Sequence, residues 1–297
     1  MSRPPIRPSG KGSARSAPRG PERGGAANVA AYRLRMEYEG GRFQGWQRQG
    51  EAQVKAGVRT VMGSLEHCLR QADLRILALQ GSGRTDAGVH ALDQVAHLHL
   101  ESAKAPSPAQ LQRIFDEGLP SDAAVREVKA CSPAFHARHD AEERSYLYQI
   151  CRRRSGLAKP FIWWVKKPLD LDRLAAAWSA FEGFHAVTAF ADLDPGDEPR
   201  CEIRRCEWVE SGSLVLLRVT ASHFKRSQVR RMVGAAVTCA LGESDPARVK
   251  KDLGRPTRDA ALFGSERAAP SAGLFLERVR YKGEAPVGAL KPFIEVW

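Results

Sequence analysis

The chain of 297 residues lacks several features that would each define a class of protein. No apolar run approaches the roughly 18 residues that a membrane-spanning helix needs, so a membrane-spanning protein is excluded. A Gly-Lys-Ser/Thr phosphate loop and a Gly-x-Ser-x-Gly elbow are both missing, which argues against a nucleotidase and a serine hydrolase. None of the six cysteines lies in a C-x-x-C pair, so we expect no structural metal and reduced thiols, as in the cytoplasm.

Acidic residues are also scarce relative to basic ones. Lys and Arg total 46 against 34 Asp and Glu, a net charge of +12, which favours a polyanionic partner such as nucleic acid. Residues 1–30 are rich in Pro, Gly, Ser and Ala, and they lack the apolar centre of a secretory signal. They predict a disordered basic arm, which either adds nonspecific RNA affinity or is a solvated tail without a role.

Hydrophobic periodicity predicts alternating strands and helices. Period-two alternation and short apolar runs indicate strands, and apolar stripes three to four residues apart indicate helices. The predicted strands are 32–38, 74–79, 95–100, 125–129, 145–152, 203–210 and 214–220, and the predicted helices are 54–72, 108–117, 171–181 and 226–241. This order predicts an α+β protein of two similar halves, 31–157 and 158–297. We expect mostly antiparallel strands joined into a central sheet flanked by helices.

The segment Gly83-Arg84-Thr85-Asp86-Ala87-Gly88-Val89-His90 is the most informative part of the sequence. Asp86 lies near the cation Arg84, between glycines that allow a ligand to approach the backbone closely. An aspartate in such a segment is either presented to a substrate or simply closes a β-turn, because Asp and Gly are ordinary turn residues.

Two further segments combine aromatic and polar residues that suit RNA. Residues 43–49 (Phe-Gln-Gly-Trp-Gln-Arg-Gln) can stack on bases and contact their edges, unless Trp46 folds inward. In an extended strand, Arg144, Tyr146 and Tyr148 share one face. They form either a stacking platform with a phosphate contact or an ordinary cross-strand packing surface.

The start of the predicted helix 226–241 is crowded with cations, namely Lys225, Arg226, Arg230 and Arg231. Cations at a helix N-terminus are unfavourable unless an anion lies nearby, so this segment predicts a carboxylate or phosphate partner. Arg226 and Arg230 are four apart and are expected to share a helical face. His97 and His99 lie on one strand face, where without further ligands a structural role is favoured over metal binding.

Taken together, these motifs resemble the tRNA pseudouridine synthase A family over nearly the whole chain after residue 30. The matching blocks are Tyr38-Glu39-Gly40 with residues 43–49, residues 83–91 with Gln94-Val95, Phe135 to Arg138 with Arg144 and Tyr146, Phe224 with residues 229–234, and residues 269–276. The chain departs from the family in a longer link at 50–59, in Met62 where glutamine is common, and in 183–190, which lacks the usual His-Asp-Phe.

The resemblance implies an isomerase that converts uridine to pseudouridine at positions 38, 39 and 40 of the tRNA anticodon arm, without a cofactor. It implies that Asp86 is the nucleophile and that Arg230 forms an ion pair with it. It further implies that Arg84 fills the space left by the flipped base and that Tyr146 stacks on the target uracil. The expected substrate contacts are Tyr146, Gln47, Arg48, Arg138, Arg144, Lys225, Arg226 and Arg231. The resemblance implies the pseudouridine synthase fold, in which residues 31–157 are the catalytic half that carries the nucleophile and the active-site cleft lies between the two halves. It also implies a cytoplasmic homodimer that acts on tRNA.

Two alternatives stay open from the sequence. The first is a tRNA-binding or chaperone protein that has the fold without turnover. The second is a synthase of the same fold that modifies another RNA.

Overall fold

The computed structural model describes residues 29–48, 50, 57–101, 103, 105–253, 255 and 268–296. Ten strands in these ranges form one sheet, and side chains of five α-helices pack on it. None of the helices in the described ranges is long and apolar enough to cross a bilayer. The predicted basic arm lies outside the described residues, except for its last two residues, which begin the first strand.

The elements follow the chain in this order. The strands are β1 (Val29–Tyr38), β2 (Ile76–Gly81), β3 (His90–Glu101), β4 (Ala123–Ala130), β5 (Ala141–Cys151), β6 (Trp163–Trp164), β7 (Gly183–Ala186), β8 (Arg200–Ser211), β9 (Leu214–Ala221) and β10 (Leu274–Tyr281). The helices are α1 (Val61–Gln71), α2 (Pro108–Gly118), α3 (Leu171–Ser179), α4 (Gln228–Ala240) and α5 (Pro246–Asp252).

The sheet joins two groups of strands. The strand order is β4-β1-β3-β10-β5-β9-β8-β7, with β2 beside β3 and β6 beside β5. Described neighbours are antiparallel except β3 with β10 and β5 with β6. β5 precedes the predicted boundary at residue 157, although its antiparallel neighbours are β9 and β10. The predicted α+β class, with two halves in one mostly antiparallel sheet, is confirmed.

Alternating side chains divide the core between the two faces of the sheet. On β5, Tyr148 joins a large cluster that includes side chains of the helices, whereas Leu147 joins a smaller cluster on the opposite face. The large cluster runs without a break from Leu34 of β1 to Val233 of α4. The two halves therefore share one hydrophobic core, which fixes their relative position.

The helix predicted at 54–72 begins later than expected. Thr60 is extended, and its hydroxyl accepts a hydrogen bond from the Gly63 amide at 3.1 Å, so α1 begins at Val61. Residues 54–56 lie outside the described part. The hydrophobic period continues on both sides of Thr60, so periodicity alone does not show that the cap starts the helix there.

The helix predicted at 226–241 also begins later, at Gln228, because Ser227 takes a left-handed conformation with φ 57°. The elements β6, β7, β10 and α5 have no counterpart in the prediction. Three of them have seven residues or fewer, too few to show a period.

Candidate active site

The loop between β2 and β3, which carries Asp86, lies at a fork in the sheet. β2 pairs with the last part of β3, whereas β10 pairs with its first residues, His90 and Ala91. Where the loop leaves β2, the Ser82 amide donates to the carbonyl of Val95 at 2.7 Å. Asp86 therefore stands where the two halves of the protein meet.

The backbone of this loop packs closely against the segment that follows β1. The Trp46 amide donates to the Thr85 carbonyl at 3.0 Å, and the Gly88 amide donates to the Phe43 carbonyl at 3.2 Å. Gly45 has φ 90°, and a Cβ there would approach the Thr85 carbonyl oxygen to 2.6 Å. Only glycine fits this close backbone contact, so the two segments hold each other in place.

Buried polar side chains support the loop from below. The Tyr38 and Thr85 hydroxyls are 2.8 Å apart, and Gln94 Nε2 donates to the Gly83 carbonyl at 2.8 Å and to the Tyr38 hydroxyl at 3.4 Å. The amide NH₂ of Gln94 can only donate, so the Tyr38 oxygen accepts from it, while either hydroxyl can donate in the bond between Tyr38 and Thr85. Burial raises the pKa of Tyr38 to about 12, against the opposing effect of these hydrogen bonds. The phenol is therefore neutral near pH 7.

The Asp86 carboxylate contacts the start of α4. Its Oδ2 lies 3.7 Å from Arg230 Nη1 and accepts a hydrogen bond from Ser227 Oγ at 3.3 Å. The Asp86 side chain is 30% exposed and that of Arg230 is 23% exposed, so a ligand can reach the pair. Arg230 is anchored because its Nε donates to the Ala269 carbonyl at 2.7 Å and its carbonyl accepts from the Ala269 amide at 2.9 Å.

Tyr146 borders the same loop from β5. Its ring meets Phe224 edge-on at 5.1 Å between centroids, and its hydroxyl would lie 3.7 Å from a Cβ on Gly83. Burial raises the pKa of the Tyr146 phenol, and nearby Tyr38 and Asp86 raise it further. The phenol is therefore neutral. The structure thus brings together a carboxylate, a guanidinium and a neutral phenol from three separate elements.

Arg84 lies on the exposed side of the loop. No other described residue forms a hydrogen bond or an ion pair with its guanidinium. An unpaired cation two residues from Asp86 suits contact with a phosphate or a base.

Two other cations near the start of α4 pair with acids of the chain itself. Arg231 is buried and its Nη2 donates to Asp192 at 2.7 Å, while Arg226 lies 3.3 Å from Asp194 at the surface. Arg226 precedes α4 and forms a β-bridge with Asp192, so the predicted helical face shared with Arg230 is wrong. The anion expected beside this helix start is supplied, for these arginines, by the protein.

The face of β5 that was predicted as a stacking platform is largely buried. Arg144 is 6% exposed, and its guanidinium donates to four carbonyls, those of Ala141, Ser222, Ser82 and Arg138. The Tyr148 ring lies within 2.7 Å of where a Cβ on Gly273 would stand, and its hydroxyl donates to Pro270 at 2.8 Å. Arg144 therefore ties together loops around the site instead of facing a phosphate, and Tyr146 alone borders the loop.

The aromatic residues of segment 43–49 also point inward. Phe43 and Trp46 are nearly fully buried, so the inward alternative is the correct one and their faces do not meet RNA. Arg48 stays at the surface, 42% exposed and 3.3 Å from Glu66. Gln47 Nε2 lies 3.5 Å from the Met62 sulfur. Gln49 is outside the described residues.

The remaining predicted RNA contacts, Arg138 and Lys225, lie beside the site. Arg138 is exposed, with its carbonyl held by Arg144. Lys225 is half-buried, and its amide donates to Gln228 Oε1 at 2.8 Å. The backbone of Arg138 and that of Lys225 are thus each fixed by a hydrogen bond from another residue near the site.

Three histidines lie on β3, and two of them, His97 and His99, have ring centroids 5.2 Å apart. His97 is buried, and its Nδ1 accepts a hydrogen bond from the Ala137 amide at 3.1 Å. Among the described residues, no group of three or more His, Cys, Asp or Glu side chains could hold a metal ion. All six cysteines, which lie in the described part, are free thiols.

Three contacts of the loop have no counterpart in the sequence analysis: Ser227 with Asp86, Tyr38 with Thr85, and Gln94 with Gly83. The role of Gln94 could have been predicted from the sequence, because a polar residue in the middle of a buried strand needs a hydrogen-bond partner. The role of Ser227 could not, because a serine at a helix start ordinarily indicates a cap.

A family model described as tRNA pseudouridine synthase matches residues 35–140 and 177–282, one segment in each half of the sheet. The chain is also similar to proteins named tRNA pseudouridine synthase A. The one from Thermus thermophilus is 38% identical over 258 residues, which cover 84% of this chain and 96% of that protein. The one from Maricaulis maris is 36% identical over 258 residues, with 86% and 99% covered. The one from Dictyoglomus thermophilum is 32% identical over 255 residues, with 84% and 99% covered.

Proposed function

The chain belongs to the tRNA pseudouridine synthase family, and on that premise we propose that its substrates are uridines 38, 39 and 40 in the anticodon stem-loop of tRNA. The chain is an isomerase that converts uridine in tRNA to pseudouridine. The observation that carries the proposed mechanism is the approach of Arg230 to Asp86 at the fork of the sheet, with Tyr146 beside the same loop.

In the proposed mechanism Asp86 is the nucleophile. Its carboxylate attacks either C1′ of the ribose or C6 of the uracil ring. In both routes the bond between N1 and C1′ breaks, the uracil turns, and a bond forms between C5 and C1′. The bond between Asp86 and the substrate breaks again, which frees the carboxylate, and the proton on C5 moves to N1. The isomer has the same atoms as uridine. The positive charge of Arg230, 3.7 Å from Oδ2, stabilises the negative charge of the nucleophile.

The target base must leave the helical stack to reach Asp86, which costs a few kcal/mol. Arg84 is proposed to occupy the space left by the base, and the exposure of its unpaired guanidinium supports this role. Tyr146 is proposed to stack on the flipped uracil. Its neutral phenol is proposed to give its hydrogen to N1 and then, as the phenolate, to take the proton from C5, which restores the phenol.

Surface cations around the site are proposed to contact the tRNA backbone. Arg48, Arg138 and Arg226 are exposed and Lys225 is half-buried, and together with the net charge of +12 they supply a positive surface. Gln47 is proposed to contact the RNA next to Arg48. The buried Arg144 and Arg231 support the site from inside. The family resemblance extends the proposal to a cytoplasmic homodimer, which sedimentation equilibrium of the free protein tests.

The experiment that tests the function uses unmodified tRNA transcripts. Wild type and Asp86→Asn are incubated with the transcripts, and pseudouridine is mapped by carbodiimide-stopped primer extension. We expect stops at 38, 39 and 40 with wild type, and tight tRNA binding without product for Asp86→Asn. Asp116→Asn, at an exposed position of α2, is the matched control and should retain full activity.

Each failure has a distinct meaning. If wild type forms no product, the chain is a binding protein of this fold. If product appears outside the anticodon arm, the proposed substrate is wrong. Arg84→Ala should lower turnover more than tRNA affinity, with Arg113→Ala as a charge-matched control on α2, and a pure affinity loss would contradict the flipping role.

A further inference from the structure

Ser227, immediately before α4, has an unfavourable backbone conformation. Its φ is 57° and its ψ is 4°, in the left-handed region that a residue with a Cβ avoids. In the described part of the chain, Asp73 is the only other non-glycine residue with positive φ. Strained residues of this kind cluster at functional sites, where the surrounding structure holds them.

Ser227 also lacks the hydrogen bond that a serine at a helix start usually makes. Its Oγ would ordinarily accept an amide hydrogen of the first turn, but no such cap forms. Instead, Oγ donates to Asp86 Oδ2 at 3.3 Å. Gln228 closes the turn in its place, because its Oε1 accepts from the Lys225 amide at 2.8 Å. The left-handed backbone and the missing cap therefore occur together with a hydrogen bond from Ser227 to Asp86.

The hydrogen bond from Ser227 and the ion pair with Arg230 meet the same carboxylate oxygen of Asp86. Ser227 Oγ and Arg230 Nη1 both approach Oδ2, and no described residue donates to Oδ1. We infer that Ser227 is a positioning residue that, with Arg230, orients the carboxylate so that Oδ1 is the attacking oxygen. This inference rests on the proposed function, in which Asp86 is the nucleophile.

The hydrogen bond from Ser227 is needed because the ion pair between Arg230 and Asp86 is only weakly directional. At 3.7 Å, the contact with Arg230 is longer than a hydrogen bond and leaves the carboxylate free to turn about its Cβ–Cγ bond. A hydrogen bond from a different direction restricts that rotation. Since orientation acts on the chemical step, Ser227 should affect kcat and leave tRNA binding unchanged.

The test uses full-length Ser227→Gly, Ser227→Asn and Asp86→Asn beside wild type. Glycine removes the donor and relieves the backbone strain, so the melting temperature should stay equal or rise. Asparagine tolerates the left-handed region and carries an amide donor, so it should restore the contact. Asp73→Gly relieves the same strain at an exposed position after α1 and is the matched control.

We expect kcat of Ser227→Gly to fall about tenfold, with the Kd for tRNA within about twofold of wild type, and Ser227→Asn to recover to within about threefold. Asp73→Gly should have wild-type kcat. Product from Asp86→Asn would refute the nucleophile assignment itself. If Asp86→Asn is inactive, the positioning role is overturned by wild-type kcat in Ser227→Gly, or by Ser227→Asn being as slow as Ser227→Gly.

Discussion

The hydroxyl pair of Tyr38 and Thr85 lies directly under the nucleophile, and its removal makes a quantitative prediction. Thr85→Val keeps the shape of the side chain but removes the hydroxyl that lies 2.8 Å from the buried Tyr38 hydroxyl. A buried polar group left without this hydrogen-bond partner costs about 1–3 kcal/mol. We therefore expect the free energy of unfolding to fall by about 2 kcal/mol.

A double-mutant cycle isolates the contact. Tyr38→Phe alone leaves the Thr85 hydroxyl unpartnered, whereas Tyr38→Phe with Thr85→Val removes both groups. The double variant should lose about 1 kcal/mol less than the sum of the single variants, measured by urea unfolding at pH 7.5. Thr85→Ser keeps the hydroxyl, so its free energy of unfolding should fall only by the roughly 0.8 kcal/mol that the missing methyl group contributes. Losses that add within about 0.4 kcal/mol would refute the reasoning.

The same pair predicts a pH dependence and a loss of activity. Burial raises the pKa of Tyr38 to about 12, above its ordinary value of 10.0, so the protonated phenol is the folded form. The stability from this group is fully present below pH 10 and is lost as the pH rises towards 12. Because Thr85 adjoins Asp86, Thr85→Val should also lower kcat by about tenfold, less than the 100-fold that a 1 Å misplacement costs.

Two other predictions concern the supports of the site. Burial, with His136 and His99, lowers the pKa of His97 from 6.5 to about 4, so stability should fall as the pH drops from 6.5 towards 4, by roughly 3 kcal/mol at most. His97→Asn, which keeps an acceptor for Ala137, should flatten this dependence in urea titrations, and an unchanged slope would contradict it. Gly45→Ala should lower the free energy of unfolding by about 2–4 kcal/mol, through backbone strain and the clash with Thr85. Gly57→Ala, at a position with positive φ in open space, should lower it by about 1–2 kcal/mol. Equal losses in melting experiments would rule out the clash.

The strands and the loop with Asp86 could be predicted from local sequence. Alternation located β1 and β8, because each buries one face of its strand on the large cluster. A short apolar run located β9, which is buried on both faces. The glycines around Asp86 indicated a turn, because Gly and Asp are ordinary turn residues. Such features depend on a few adjacent residues, which is why one sequence contains enough information for them.

The direction of long polar side chains could not be predicted. Arg144 looks the same in sequence whether it meets a phosphate or carbonyls, and its acceptors come from segments as far apart as Ser82 and Ser222. Ser227 presents the opposite difficulty. Its hydroxyl contacts Asp86, 141 residues away, and does not form the cap that serine locally prefers.

The site depends on the docking of the two halves more than on either half alone. On one side, Thr85 and Gly83 fix the loop to the first half, through Tyr38 and Gln94. On the other side, Ser227, which precedes α4, and Arg230 within α4 contact Asp86 from the second half. β3 and β10 share only two residue pairs, so the strand group β4-β1-β3 is held against β10 and its neighbours mainly by the common core. Disturbing that core should therefore separate the carboxylate from its donors before either half unfolds.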